Sequence, residues 1–370
     1  MPQTLTARRL LTPQGTIDHP VITIEDGLIQ SIESAASSSE DTTLTSTFLD
    51  VHTHGAAGRD VMEGTPATFA TVNHFLATRG VGQYLPTTVT APVDKTLRSL
   101  EGIADAIESP THGAATPIGI HLEGPFISHA KRGVHPPADI LPPSIELFDR
   151  FQQAARGHIR LMTIAPEISG AVELIEHAAR QGVKLSLGHS NATTPEALAG
   201  IVAGASSATH TYNAMRPLDH RDPGILATVL DDDRLFAELI CDGVHVAPEL
   251  VRLWLKSKGV DRAILITDSM GATGMPEGTY MLGTFEVTVA NGRAISNGHL
   301  AGSVLTMDRA VANVQRFTGA SLATAVGLAT ANPAKLLGVD LALAPGRAAN
   351  FNRFDTSGQL QSTILCGQQV

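Results

Sequence analysis

His52 and His54 stand one residue apart at the end of the apolar run Phe48-Leu-Asp-Val-His-Thr-His54. Residues i and i+2 of a strand share a face, so both imidazoles can reach one point. Four more groups able to hold a metal or carry a proton close similar β-like runs: Glu123 in "HLEGPF", His189 in "LSLGHS", His210 in "SATHTYN" and Asp268 in "AILITDS". Neutral imidazoles with a carboxylate suit zinc, iron, manganese or cobalt, and a carboxylate can bridge two ions. Each position alone has a plainer reading. Glu123 could mark a strand-to-loop corner, His189 and His210 could donate to backbone carbonyls in the core, and Asp268 could cap the next turn. Each buried polar group left unsatisfied costs ~1–3 kcal/mol, and convergence on an ion removes that cost for all six at once. The expectation is a divalent metal centre of one or two ions, with zinc, iron, manganese and cobalt all open, since the residue types do not encode which.

Groups more than 200 residues apart in sequence converge only if the fold gathers strand ends. Eight apolar runs read as strands: 48–54, 81–90, 117–124, 159–166, 184–190, 207–213, 236–245 and 263–269. Helical patterns separate them, at Pro66–Arg79, Val93–Ile107, Ser169–Gln181, Pro195–Val202 and Pro248–Lys258 among others. Strands buried on both faces and alternating with helices indicate a parallel βα architecture. Eight such strands close a barrel whose C-terminal ends share one rim. The expected fold is therefore α/β, a (β/α)8 TIM-like barrel over residues 48–341. Residues 1–47 and 342–370 are turn-punctuated and β-rich, and the two chain ends are expected to build one small β-sandwich domain. Ser37–Thr47 reads as a linker, and Asn291-Gly292 marks the turn of a hairpin-like insertion after the eighth strand.

Composition narrows the partners. The chain has 370 residues, 43% hydrophobic and 17% charged, with 26 basic against 36 acidic side chains. A formal charge of -10 argues against nucleic acid and anionic membrane as partners, since both require a basic face. No apolar run approaches the ~18–20 residues of a membrane span, and the N-terminus lacks the apolar stretch of a signal peptide. Two cysteines form no disulfide framework. A cytoplasmic location is the expectation.

The quoted residues resemble a known family. His52-x-His54-Gly55, "HLEGPFISHAKRGVH" at 121–135, "LGHSNAT" at 187–193, "THTYNAMRPLDHRDPG" at 209–224, "CDGVH" at 241–245, "ITDSMGATG" at 266–274 and "LAGS" at 300–303 are similar, in order, to the N-acetylglucosamine-6-phosphate deacetylases of the amidohydrolase superfamily. The resemblance implies the same barrel and terminal sandwich. It implies that Glu123, His189 and His210 hold the catalytic metal, that His52 and His54 hold a second ion present in some members, and that Asp268 is the catalytic acid/base. It further implies substrate contacts from His135, Asn213, Ala214, Arg221 and His245, with Leu300, Ala301 and Gly302 closing the sugar site. In that family the arginine matching Arg221 reaches the phosphate from a neighbouring subunit, which implies a homodimer.

The residue types suit that chemistry. A metal lowers the pKa of bound water toward about 7 and polarises an acyl carbonyl. Asp268 can take the water's proton and return it to the departing amine. Arg221 offers a permanently charged fork for phosphate, and it can equally be a solvated loop charge paired with Asp219 or Asp222. Either His135 or His245 could bond the carbonyl or the sugar hydroxyls. The expected reaction is removal of acetate from N-acetyl-D-glucosamine 6-phosphate, serving amino-sugar catabolism or cell-wall recycling. The alternatives are the galactosamine epimer as substrate, an acylamino-acid or cyclic-amide hydrolase, and an inactive metal-binding barrel.

Overall fold

The computed structural model describes residues 2–370. Eight parallel strands form the centre: β1 Phe48–Thr53, β2 Val81–Thr88, β3 Ile120–Glu123, β4 Ile159–Ile164, β5 Lys184–Leu187, β6 Ala205–Ala208, β7 Phe236–Ile240 and β8 Ala263–Ile266. Each pairs with the next in parallel register from β1 to β8. Every residue of β1, β3, β7 and β8 is buried, as strands covered on both faces require. The ring is nearly closed. Its seam is shut beyond the end of β8, where His54 N donates to the Ser269 carbonyl (2.7 Å) and Asp268 N donates to the His52 carbonyl (2.9 Å).

Helices cover the outside of the ring. Pro66–Ala77 starts on a Thr65 cap with proline in its first turn, where the missing N–H has no partner to lose. Thr194–Ala203 begins with a reciprocal Thr193–Glu196 capping box. Pro248–Lys258 matches its expected bounds. After β8 the chain leaves the barrel and builds a four-stranded antiparallel sheet from Gly278–Leu282, Phe285–Ala290, Arg293–Ser296 and His299–Leu300. The expected hairpin is thus the core of a larger flap. Met62, Val89, Met270, Leu282, Val287 and Ala301 share one apolar cluster that seats this sheet on the barrel mouth.

Both chain ends contribute the remaining sheets. One has three strands, Gln3–Thr6, Pro20–Glu25 and Leu28–Ser34. The other has six, including Arg9–Thr12, Thr43–Ser46, Phe351–Phe354 and Leu360–Leu365. Ile22, Ile24 and Ile29 from the first meet Leu10, Leu44, Phe351 and Ile364 from the second, so the two pack as a sandwich. One expectation fails here. Thr43–Ser46 is a central strand of the six-stranded sheet, flanked by Arg9–Thr12 and Phe351–Phe354, and not part of a linker. Threonine is a strong strand former, and burial of Leu44 and Thr45 outweighs the Ser/Thr signature.

Candidate active site

The strands end earlier than their sequence suggests. Only His52 and Glu123 lie within strands, on β1 and β3; His54, His189, His210 and Asp268 follow the last strand residue, and His245 stands five residues beyond β7. The reason is the backbone. His189, His210 and Asp268 have φ of 47°, 29° and 49°, and Ala214 has 49°. This left-handed conformation ends a strand and turns the side chain over the barrel mouth. It costs roughly 1–3 kcal/mol at most residues other than glycine, less at aspartate and asparagine, and persists where the surrounding fold enforces it, as at sites of chemistry.

The six side chains meet as two abutting triads. Glu123, His189 and His210 form one, and His52, His54 and Asp268 the other; the ligand atoms within each lie within 4.8 Å of one another. Glu123 joins them. Its Oε1 lies 3.1 Å from His210 Nε2, 3.3 Å from His189 Nε2 and 3.5 Å from His52 Nε2. Its Oε2 lies 3.3 Å from His54 Nε2. Across the site, Asp268 Oδ1 is 3.2 Å from His54 Nε2 and 3.5 Å from His52 Nε2.

The donor set fits a cation. His54 Nδ1 lies 3.0 Å from the Thr87 carbonyl and His189 Nδ1 2.9 Å from the Lys131 carbonyl. A carbonyl only accepts, so each Nδ1 carries a proton and, in the neutral ring, each Nε2 turns a lone pair inward. His189 and His210 Nε2 then face each other at 3.1 Å, and His52 and His54 Nε2 at 3.3 Å. His54 and His189 thus each turn a lone pair toward the facing ring, and either a cation or a proton on the facing nitrogen satisfies it. The electrostatics agree: burial disfavours charge on His54, but Asp268 and Glu123 outweigh it and push its pKa up to about 9. Burial likewise opposes charge on Glu123, yet His52, His189 and His210 hold it well below the usual carboxylate range. Asp268 is drawn down to about 2 against its own burial by His52 and His54. Protons and metal ions compete for such a set.

A cavity of about 450 Å³ opens above the triads. Of the expected substrate residues, His135, Asn213, Ala214, His245, Leu300 and Gly302 line it. Two expected contacts do not. Ala301 is fully buried in the apolar cluster beneath the flap and does not line the cavity. Arg221 sits in an exposed loop with its backbone N–H on Asp219 Oδ1, outside the cavity of its own chain. His129 and His299 also line the mouth, with Lys131 and Arg132. His299 escaped the sequence reading because only the folded-back flap carries it there. His121 lies behind the site: its ring stacks edge-on against His52 at 4.6 Å, between the Val51 carbonyl and the Thr163 hydroxyl.

The two polar rings beside the cavity differ in tautomer. Thr90 meets His135 Nδ1 twice, its N–H donating at 3.3 Å and its hydroxyl at 2.8 Å; with both donating, the ring's proton lies on Nε2, 3.7 Å from Glu123 Oε2. His245 Nδ1 instead lies 2.7 Å from Asp242 Oδ2 and carries the proton there.

Comparison with known proteins agrees with this geometry. The amidohydrolase family pattern matches residues 43–370. An N-acetylgalactosamine-6-phosphate deacetylase of Escherichia coli O157:H7 is 38% identical over all of this chain and 99% of its own length. An N-acetylglucosamine-6-phosphate deacetylase of Bacillus subtilis (strain 168) is 35% identical over 89% of this chain and 86% of its own. The N-acetyl-D-glucosamine-6-phosphate deacetylase of Mycobacterium smegmatis, solved as an aspartate-to-alanine mutant in complex with N-acetyl-D-glucosamine-6-phosphate, superimposes with a TM-score of 0.94 at 32% identity. That alignment covers 100% of this chain and 99% of the other. Fold, donor set and sequence thus agree that the chain belongs to the amidohydrolase family.

Proposed function

We propose that the protein hydrolyses the acetamide of N-acetyl-D-glucosamine 6-phosphate to glucosamine 6-phosphate and acetate. The carrying observation is Glu123, whose two oxygens stand between four imidazole nitrogens while Asp268 faces them across the cavity. Glu123, His189 and His210 hold one divalent ion, zinc first; His52 and His54 with Asp268 can hold a second. An ion bound there lowers the pKa of water and polarises the acyl carbonyl. Asp268 takes the proton of the attacking water and delivers it to the amide nitrogen, since an amine departs only when protonated. His135, with its proton on Nε2, donates to the acyl oxygen. His245, with its Nδ1–H on Asp242, offers Nε2 to a sugar hydroxyl or, protonated, to phosphate. Asn213, Ala214, Leu300 and Gly302 shape the sugar site.

The phosphate falls to Arg221 of a second copy. Its exposure outside its own cavity supports that role, as do the exposed Leu218 beside it and Leu250 and Leu253 on the helix Pro248–Lys258. Tyr212 ties that helix to the site loop by donating to the Leu250 carbonyl. A homodimer through this face covers the apolar side chains and completes both sites. The proposed domains are the sandwich of 1–47 with 342–370 and the catalytic barrel of 48–341. A cytoplasmic location is proposed; among the described residues no helix is long and apolar enough to cross a membrane.

The Escherichia coli relative supports a second reading, the galactosamine epimer. Acetate release from both epimeric phosphates and from unphosphorylated N-acetylglucosamine tests the proposal. The glucosamine phosphate should give the highest kcat/KM, with the unphosphorylated sugar at least tenfold lower. Arg221→Ala should raise KM for the phosphorylated sugar alone. Equal rates with and without phosphate would refute the role of Arg221, and a preference for the epimer would refute the choice of substrate.

A further inference from the structure

Glu238 lies in the middle of β7, is fully buried, and has no role in the chemistry described above. A carboxyl taken out of water is costly unless hydrogen-bonded or paired. Glu238 is poorly provided for: its Oε1 has one long contact, from the Ser207 hydroxyl at 3.4 Å, and its Oε2 has no hydrogen-bond partner. His52 Nδ1 is likewise buried without a hydrogen-bond partner, and the two orphaned atoms face each other at 3.6 Å. The opposite nitrogen of that ring, Nε2, is the one aimed at His54, Glu123 and Asp268.

His54 and His189 have backbone carbonyls behind Nδ1. His52 has none; the carboxyl of Glu238 occupies that position. We infer that Glu238 is a positioning residue for the second metal triad, accepting Nδ1–H from His52 and so fixing the tautomer that presents Nε2 to an ion. A few tenths of an ångström of ring movement brings the pair to ordinary hydrogen-bond distance. His121, stacked edge-on against His52, limits the ring's freedom to turn away. The inference rests on the metal reading, and it assigns Glu238 to the His52 side alone.

Buried carboxyls behind metal-bound histidines typically change metal affinity 10- to 100-fold. The test measures cobalt or zinc bound per chain, by elemental analysis at buffered free-metal concentrations, for wild type, Glu238→Leu and Glu238→Gln. Wild type should bind two ions. Glu238→Leu should lose affinity for one of them by roughly 10- to 100-fold while the other binds as before. Glu238→Gln, which retains an acceptor oxygen, should stay within a few-fold of wild type. Thermal unfolding of the metal-free proteins supplies the second readout. Removing an orphaned buried carboxyl should leave the midpoint of Glu238→Leu unchanged or higher, whereas a purely structural carboxyl would lower it. Two ions bound at wild-type affinity by Glu238→Leu, or a lowered midpoint with unchanged binding, overturns this inference and leaves the metal reading standing. A wild type that binds one ion overturns it with the Glu123 site intact, and one that binds none overturns both.

Discussion

Replacing Asp268 by asparagine tests the proton transfer proposed for it apart from its contacts with the imidazoles. The choice of asparagine follows from the backbone. At φ 49°, alanine would add a left-handed conformational cost of about 1–2 kcal/mol, which aspartate and asparagine largely avoid. Asparagine also keeps an oxygen at Oδ1, the atom 3.2 Å from His54 Nε2 and 3.5 Å from His52 Nε2, so the arrangement of imidazoles survives. It cannot accept the proton of water at any pH the enzyme tolerates. General acid–base catalysis contributes typically about 10²–10⁴-fold, or about 3–5 kcal/mol of barrier. Asp268→Asn should therefore lose 100- to 10,000-fold in kcat, by these same estimates, with KM for the phosphorylated sugar changed by about threefold or less. Coupled detection of acetate gives kcat and KM, and elemental analysis confirms the ion at Glu123, His189 and His210. A variant that keeps the ion and turns over within tenfold of wild type would refute Asp268 as the acid/base.

Other expectations follow from the same geometry. Exhaustive chelation should abolish turnover and lower the thermal midpoint, since an ion at 1,000 times its dissociation constant stabilises the fold by about 4 kcal/mol; an unchanged midpoint and rate would refute the centre. Gly55→Ala should destabilise the protein by about 2 kcal/mol or more and weaken metal binding. At φ 152° a Cβ on Gly55, the residue after His54, would run into the Arg59 carbonyl. Normal unfolding of that variant in denaturant would contradict the packing described.

The candidate metal groups were legible because each closes a largely apolar, β-like run, and a run of that kind has few roles other than a buried strand. The same rule overlooked Glu238, which lies inside its run, in "FAELICDGVH", where no chain end or turn draws attention to it. Strand ends were misplaced by several residues because left-handed φ at His189, His210 and Asp268 is imposed by the tertiary fold; histidine and aspartate tolerate it but do not dictate it. Thr43–Ser46 was read as linker for a related reason: its partners, Arg9–Thr12 and Phe351–Phe354, lie about 34 and 308 residues away, so pairing could not be inferred locally. His299 reaches the cavity through the placement of an entire sheet. Arg221 lies in an exposed loop and does not line the cavity of its own chain.

The seam of the barrel ties synthesis to function. The hydrogen bonds that join its first and last strands are made by the backbones of His52, His54, Asp268 and Ser269. A nascent chain therefore displays two histidines long before the aspartate opposite them leaves the ribosome. Until that late segment docks, the early half carries an open edge and an incomplete ligand set, so the ring and the second triad come into being in one step.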